Sequence, residues 1–373
     1  MPARGIERPL RLGFLAEPNS VHTRRWIGWF ARAGHEVHLI DPFDARIDAG
    51  LPPEIIVHRL DPPAGPPVIG LVRRRRMLRA AMERIGIEVL HAQFIRRYGW
   101  QGALSGFHPL VVSPWGSDLL QVRRRSLRTR WWNCFALRSA DLVTVSSEGM
   151  RAAAIGAGAR AERIELVHHG VDTTRFSPAS AGRDRPPRIL SVRAIGPLYR
   201  QETVIDAVAR LADDGLRPEL VMSRLGANAA YLAHLEERAR ERGIADQLII
   251  LDAVSHDELP ALYQSGDVLV SIPETDSFPV TLLEAMACGL PAVVSDLPAV
   301  TPVYGQIDPI AAELIVPVGD ASATAIALRR ALRLEDDERA RLGARLRDFV
   351  VATADYDAHM ARMEGLYQGL AGR

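Results

Sequence analysis

The sequence predicts an α/β protein built from two doubly wound units whose parallel sheets face one another across a cleft. Three observations carry this. Apolar runs of strand length recur along the 373 residues, and helix-like stretches separate most of them. Such alternation builds parallel sheets covered by helices on both faces. A segment without apolar periodicity, SPASAGRDRPP (177–187), divides the runs into two sets of similar length. The chain is also longer than one core comfortably serves, and its 47% apolar content can fill more than one. Ligands on such sheets bind outside the carboxyl ends of the strands, so the expected site lies in the cleft.

Taken in order, the first set of strands reads LRLGFLA (10–16), HEVHLID (35–41), IEVLHA (87–92), PLVVS (109–113), DLVTVS (141–146) and IELVHH (164–169). After the linker come RILSVR (188–193), PELVMS (218–223), DQLIIL (246–251), DVLVSI (267–272), PAVVS (291–295) and ELIVPV (313–318). Between them lie stretches such as NAAYLAHLEERARERG (228–243), which suit an amphipathic helix ended by Gly. The expected domains are 1–178 and 179–354, with a last helix over 355–373.

The net charge of +1 conceals an asymmetry. Residues 1–178 hold 26 Arg against 16 acidic residues, a balance of +10, and the remainder holds 20 against 29, a balance of −9. No Lys occurs. Basic density peaks in VRRRRMLRA (Arg73–Arg76 and Arg79) and QVRRRSLRTRWW (Arg123–Arg125, Arg128, Arg130, with Trp131 and Trp132). Basic stretches beside apolar residues suit an anionic membrane surface, and a solvated helical face is the alternative. A nucleic-acid partner is disfavoured, because total charge is near zero and no continuous basic footprint forms. Two cysteines, no signal-peptide pattern and no apolar span of membrane length lead to the expectation of a reduced, cytoplasmic chain, with peripheral membrane attachment following from the basic stretches.

Residues 273–296, PETDSFPVTLLEAMACGLPAVVSD, pose the sharpest chemical question. DVLVSIP reads as strand, ETDS as loop, and Pro279 as the first residue of a helix that ends at Gly289. Within that apolar helix Glu284 shares a face with Val280, Thr281, Ala287 and Cys288. A carboxylate there needs donors. It can accept both hydroxyls of a ribose, or it can be a core acid paired with an Arg elsewhere. Asp276 lies in the loop at the helix start, where a phosphate is also favoured, and its alternative role is to support that start.

The stretch LLEAMACGLPAVVSD resembles the motif of the family-four retaining glycosyltransferases (glycosyl transferases group 1), in which two acids with seven residues between them precede Ala-Met-Ala. Further similar segments follow in order: RAGHEVHLID (32–41), WGSDLL (115–120), LRSADLVTVSSEGM (137–150), HHGVDTTRFSP (168–178) and VPVGD (316–320). The resemblance implies two Rossmann-like domains of the GT-B type. It also implies a nucleoside-diphosphate sugar bound by the C-terminal domain, a glycan or lipid-linked acceptor, retention of anomeric configuration, and neither cofactor nor metal. The last helix, YDAHMARMEGLYQGL, should cross back onto the N-terminal domain. By this resemblance Arg193 stands at the family's arginine position and Tyr199 at that of a diphosphate-binding lysine, which leaves adjacent Arg200 as the substitute. Asp276 replaces the family's Glu, Ser277 and Pro279 replace glycines, and Trp115 stands where many relatives have a His near the transferred sugar.

The expected catalytic residues are therefore Asp276, Arg193 and Arg200. Glu284, Ser277, Phe278, Val280 and Thr281 are expected at the donor, and His91, Trp115, Gly116 and Asp118 on the acceptor side. His91, at the end of IEVLHA, is a candidate sugar contact. His22 reads as a residue near a helix start and Ser146 and Ser147 as capping residues before Glu148, without the context of a nucleophile. His168 and His169 lack a third ligand at zinc spacing, so no metal site is expected. The first strand lacks Gly-x-Gly-x-x-Gly, which argues against a dehydrogenase. The competing readings are a nucleotide-sugar epimerase on the same architecture and a non-catalytic sugar-nucleotide-binding protein.

Overall fold

The computed structural model describes residues 8–43, 47, 50–60, 67–120, 126–179, 185–224 and 228–372. Arg123–Arg125 and residues 180–184 of the expected linker lie outside the described residues. The chain divides into two compact units, Met1–His169 with Asp357–Arg373, and Gly170–Tyr356.

In the N-terminal unit seven parallel strands form one open sheet: β1 (Arg11–Leu15), β2 (Glu36–Asp41), β3 (Ile56–Arg59), β4 (Val89–Gln93), β5 (Leu110–Ser113), β6 (Leu142–Val145) and β7 (Ile164–Leu166). Their spatial order is β3-β2-β1-β4-β5-β6-β7. In the C-terminal unit six parallel strands do the same: β8 (Arg188–Ser191), β9 (Glu219–Ser223), β10 (Leu248–Leu251), β11 (Val268–Ser271), β12 (Ala292–Ser295) and β13 (Ile315–Val316), ordered β10-β9-β8-β11-β12-β13. Each expected run forms a strand. One strand, β3, was not among them, because it is a short edge strand with half-exposed side chains that include His58 and Arg59. Such an edge lacks the continuous apolar pattern of a central parallel strand.

Central strands such as LVVS, LVTV and VLVS are buried throughout, as a sheet covered on both faces requires. Several helices begin on side-chain caps: Ser20 accepts from Thr23 N–H, Ser147 from Met150 N–H and Asp320 from Ser322 N–H. In helix Gln201–Asp213, Val204, Ile205, Val208 and Leu211 repeat at helical spacing and fill the C-terminal core.

Composition placed the boundary at 178, whereas the compact C-terminal unit starts at Gly170. Val171 N–H donates to Ala354 O (2.9 Å), and Tyr356 N–H donates back to Val171 O (3.0 Å). Phe176 is fully buried in the C-terminal core. The Arg347 guanidinium then binds the carbonyls of Thr173, Phe176 and Ala287 at 2.7–3.0 Å. These bonds hold 170–178 to the second sheet although its sequence continues the first set without a break.

Helix Tyr356–Ala371 returns to the N-terminal unit from Asp357 onward. Trp29 Nε1 donates to Asp357 Oδ1 (2.8 Å), His35 Nε2 meets Glu364 Oε1 (3.0 Å), and the Tyr367 hydroxyl meets His91 Nδ1.

Gly170 has φ +70°, and a Cβ there would stand 2.6 Å from Tyr356 Cα, whereas Gly215, at φ +79°, has open space around it. Gly215→Ala is expected to cost about 1 kcal/mol, and Gly170→Ala about 3 kcal/mol or more because backbone must move. Thermal or urea unfolding of the two variants checks this. Equal losses would show that the approach of Tyr356 is not a constraint.

Candidate functional site

In the C-terminal sheet the strand order reverses between β8 and β11, which lie side by side. The chain leaving β8 and the chain leaving β11 therefore diverge to opposite faces and open a crevice at their carboxyl ends. Arg193 follows β8 by two residues, and Asp276 lies in the loop between β11 and helix Val280–Ala287. The structure brings them together: Arg193 Nη2 donates to Asp276 Oδ2 at 2.6 Å, and Nη1 donates to Thr281 Oγ1 at 3.0 Å. Tyr199 lies under the guanidinium, with the carbon 4.7 Å from its ring centre. Only 13% of the Arg193 side chain and 16% of that of Asp276 are exposed, so the pair is largely shielded from water.

The electrostatics follow from that shielding. Burial pushes the Asp276 carboxyl above its ordinary range, and Arg193 and the Ser277 N–H, 2.8 Å from Oδ1, pull against it. For Arg193 burial works against the charge, but Asp276 and then Tyr199 outweigh it and hold the guanidinium above its ordinary value. The cluster is a shielded ion pair in which both Nη atoms of the guanidinium are held, one by Asp276 and one by Thr281. Ser271, the last residue of β11, lines a narrow crevice with Asp276, and its buried hydroxyl has no hydrogen-bond partner among the described residues.

One turn beyond Thr281, Glu284 is 3% exposed and accepts from the Tyr263 hydroxyl at 2.9 Å. Burial and then Glu284 raise Tyr263 well above the ordinary phenol range and push the Cys288 thiol up to about 12. The donor that the sequence could not name is thus a tyrosine on helix Leu259–Gln264. Pro279 is the residue before the helix, extended at ψ 139°, and not its first helical residue.

Four of the residues expected at the donor or in catalysis, Ser277, Phe278, Val280 and Arg200, are held by the unit's own packing and pairing. Ser277 and Phe278 are 5% and 2% exposed, and Phe278 belongs to the hydrophobic core, because the loop must fold its apolar side inward to start the helix. Val280 is half-buried against the same core. Arg200 does not stand open beside Tyr199: its guanidinium is paired with Glu274, whose N–H donates to Leu198 O at 2.9 Å and so ties the two loops together. Arg200 also has φ +54°, a left-handed conformation uncommon outside glycine.

In the N-terminal unit the corresponding reversal is between β1 and β4. Asp118, in the short helix Ser117–Leu120 after β5, is fully buried. Its Oδ1 accepts from Trp115 N–H (3.0 Å) and Gly116 N–H (2.9 Å), and its Oδ2 accepts from Ile95 N–H (2.7 Å). It fastens the loops after β4 and β5 to each other and is not presented to a ligand. Burial raises its carboxyl to about 6 against the pull of those N–H groups. Gly116 supplies the φ of +129° that this turn needs. Trp115 is half-buried and sits 5.9 Å from His22 and 5.5 Å from His169 between ring centres. His91 is 1% exposed inside β4, with Nε2 bound to Ser113 Oγ (2.6 Å) and Nδ1 to Tyr367, so it is a core residue and not an edge contact. The returning helix covers it, which strand-end counting could not show. Gln93, two residues on, went unnoticed: it is 1% exposed and neither amide atom has a partner among the described residues.

His91 sets an acid limit on stability. Burial lowers its pKa from 6.5 to about 3, so the unfolded chain binds the extra proton between those values. Its contribution is complete above about pH 6.5 and is lost as the pH falls toward 3. Asp118 acts oppositely, being raised from 3.8 to about 6: its part is complete below 3.8 and is lost as the pH rises through 6. His91→Gln is expected to flatten the acid limb by about 1.4 kcal/mol per pH unit. Urea unfolding followed by tryptophan fluorescence reads it, since Trp26 lies 5.7 Å from His91. An unchanged slope would place the titration elsewhere.

Comparison with known proteins bears on the family and the fold. Residues 20–175 match the model described as Glycosyltransferase Family 4, and residues 172–349 match that of Glycosyl transferases group 1. Among curated relatives, a D-inositol 3-phosphate glycosyltransferase of Salinispora arenicola is 35% identical over 154 residues, 36% of this chain and 34% of the relative. A lipopolysaccharide core biosynthesis mannosyltransferase, LpsB, of Rhizobium meliloti is 28% identical over 202 residues, 49% of this chain and 55% of its own. These matches thus span about a third to about half of the relatives' length. Among solved structures, a sucrose-phosphate synthase from Thermosynechococcus elongatus superposes with TM-score 0.81 at 20% identity, covering 97% of this chain and 99% of that one. Anabaena Alr3699/HepE in complex with UDP and glucose gives TM-score 0.79 at 17% identity, covering 97% and 100%. The structural likenesses establish the open two-sheet GT-B fold, and with both family models matched in succession the chain belongs to the family-four, group 1 glycosyltransferases.

Proposed function

We propose that the protein transfers a sugar from a nucleoside-diphosphate donor to a glycan or lipid-linked acceptor, with retention of anomeric configuration and without a divalent cation. The observation that carries this is the shielded Arg193–Asp276–Thr281 cluster at the β8/β11 reversal, with Glu284 one turn further along the same helix. As the bond from anomeric carbon to phosphate oxygen breaks, the electron pair leaves with the diphosphate. Arg193 stands where that charge gathers, and a cation positioned in a water-poor site stabilises it most in the transition state. Arg193 takes the part that a metal ion plays in other phosphate chemistry.

In this reading Asp276 exchanges its bond to Arg193 for a hydroxyl of the sugar when the donor enters, and Glu284 takes the ribose diol while Tyr263 fixes its orientation. Arg200 supports the loop through Glu274 and adds positive potential near the diphosphate. With no protein nucleophile assigned, the acceptor hydroxyl attacks from the face that the diphosphate leaves and gives up its proton to the departing phosphate oxygen. The UDP in the similar HepE structure makes uridine the first base to test.

A panel of labelled sugar nucleotides decides among transfer, epimerisation and binding alone. Transfer requires acceptor-dependent release of nucleotide; a changed sugar without acceptor, or binding with no product, would overturn the proposal. Calorimetry with UDP separates the two acids. Glu284→Gln, which leaves an acceptor for Tyr263, is expected to weaken UDP binding on the order of 10-fold, since a charge-assisted bond contributes about 1.5–3 kcal/mol. Asp276→Asn is expected to leave UDP affinity within a few-fold and to lower kcat on the order of 100-fold. Equal loss of UDP binding in both would show that the acids act as one unit.

Turnover is expected to persist in excess chelator. Loss of activity in chelator that magnesium or manganese restores would refute metal independence.

A further inference from the structure

We propose that Gln93, together with Thr23 and Ser146, holds two neighbouring hydroxyls of the acceptor, so that the group receiving the sugar is itself an uncharged sugar ring. The inference rests on the transfer reading above and adds to it the chemistry of the acceptor and a residue that selects it.

Gln93 ends β4 and follows His91 by two residues, so both side chains stand on one face of the N-terminal sheet. Ser113, the Cα partner of Gln93 on β5, has its hydroxyl on that face too, and His91 Nε2 and the Thr144 hydroxyl already engage it. Helix Val21–Arg32 covers the face, with the Trp26 ring 5.7 Å from that of His91. Thr23 lies one turn before Trp26, toward the helix start that follows the carboxyl end of β1. Ser146 follows Thr144 by two residues, just past the end of β6. Three polar side chains from three elements are thus placed at the same end of the same face. Thr23, Gln93 and Ser146 are 0%, 1% and 3% exposed. Thr23 Oγ1, both amide atoms of Gln93 and Ser146 Oγ have no hydrogen-bond partner among the described residues.

A buried amide with both ends unsatisfied is costly, and such a group persists where something other than the fold completes it. The backbone holds Gln93 in place under strain. Phe94, next in the chain, has φ +70° and ψ +101°, a conformation rare outside glycine. Its N–H donates to Ser113 O (2.9 Å), the following N–H donates to Asp118, and the π-helix Ile95–Gly99 continues from there.

The two hydroxyls and the amide can each donate and accept, and none carries charge. Neighbouring hydroxyls of a pyranose match that set: one donates to Gln93 Oε1, and the oxygen of the next accepts from Nε2. Trp115 follows Ser113 by two residues at this end of the sheet, beside His22 and His169, and offers an apolar ring to the C–H face of such a sugar.

Gln93→Met keeps the volume and removes both open polar atoms. It is expected to raise acceptor KM on the order of 10-fold while UDP affinity and donor KM stay within about two-fold. The unfolding midpoint should not fall, because no internal bond is lost. Thr23→Val, of nearly the same shape, should shift acceptor KM in the same direction. The acceptors are methyl glucoside, galactoside and mannoside and their monodeoxy forms. The form lacking one hydroxyl of the pair should be poor with wild type and no poorer with Gln93→Met. A raised donor KM with unchanged acceptor KM would give the amide to the donor's sugar and overturn the proposal. A lowered unfolding midpoint with both KM values unchanged would make it the partner of a structural water, and overturn it equally. Should no donor turn over, the transfer reading falls by itself. Saturation-transfer NMR of the methyl hexosides with the full chain then decides: signals present in wild type and lost in Gln93→Met support the site, and equal signals overturn it.

Discussion

Where β8 and β11 lie side by side, the chain must leave one strand toward each face of the sheet, and the opening this forces at their carboxyl ends is the constraint on which the rest of the C-terminal unit depends. No helix can cover that point, because the crossovers run away from it on both sides. Whatever polar groups end the two strands are left facing one another. In this chain they are Arg193 and Asp276, far apart in sequence and 2.6 Å apart in space. Thr281 and Glu284 join them because helix Val280–Ala287 starts from the same loop.

The two units treat a buried carboxylate differently. Asp118 is satisfied by three backbone N–H groups, which hold it in place and leave nothing for a ligand. Asp276 has one backbone N–H and one arginine. A buried ion pair contributes little net stability, since desolvation offsets most of the attraction, while separating the partners without replacement costs several kcal/mol. Arg193–Asp276 is thus a poor device for holding the fold together, and that suits the donor-binding role proposed for it. Glu284 is closer to the structural case, with Tyr263 fixed on it.

The strands and their parallel pairing were legible because buried parallel strands are runs of Val, Ile and Leu between helical stretches. Strand β3 escaped because His58 and Arg59 on a half-exposed edge break that signal. The Asp276, Thr281 and Glu284 positions were legible because the motif puts all three on one helix and the loop before it, and Arg193 was legible through the family's arginine position. The burial of His91 and Phe278 was not legible, because a residue's position at a strand end or loop says nothing about what covers it. Helix Tyr356–Ala371 closes over His91 from more than 250 residues away, and the core takes Phe278.

By itself, then, the order of residues determined the buried strands of both sheets, the helical stretches between them and which side chains carry charge, since these depend on local periodicity and composition. It determined the family too, through motifs that are local. Tertiary structure alone decided which charges meet, that Glu284 leans on Tyr263, that Arg200 is held by Glu274, and that the second unit starts at Gly170. The reason is distance: a hydrogen bond or ion pair acts over a few ångströms, and only the packing of the sheets brings residues tens of positions apart to that range.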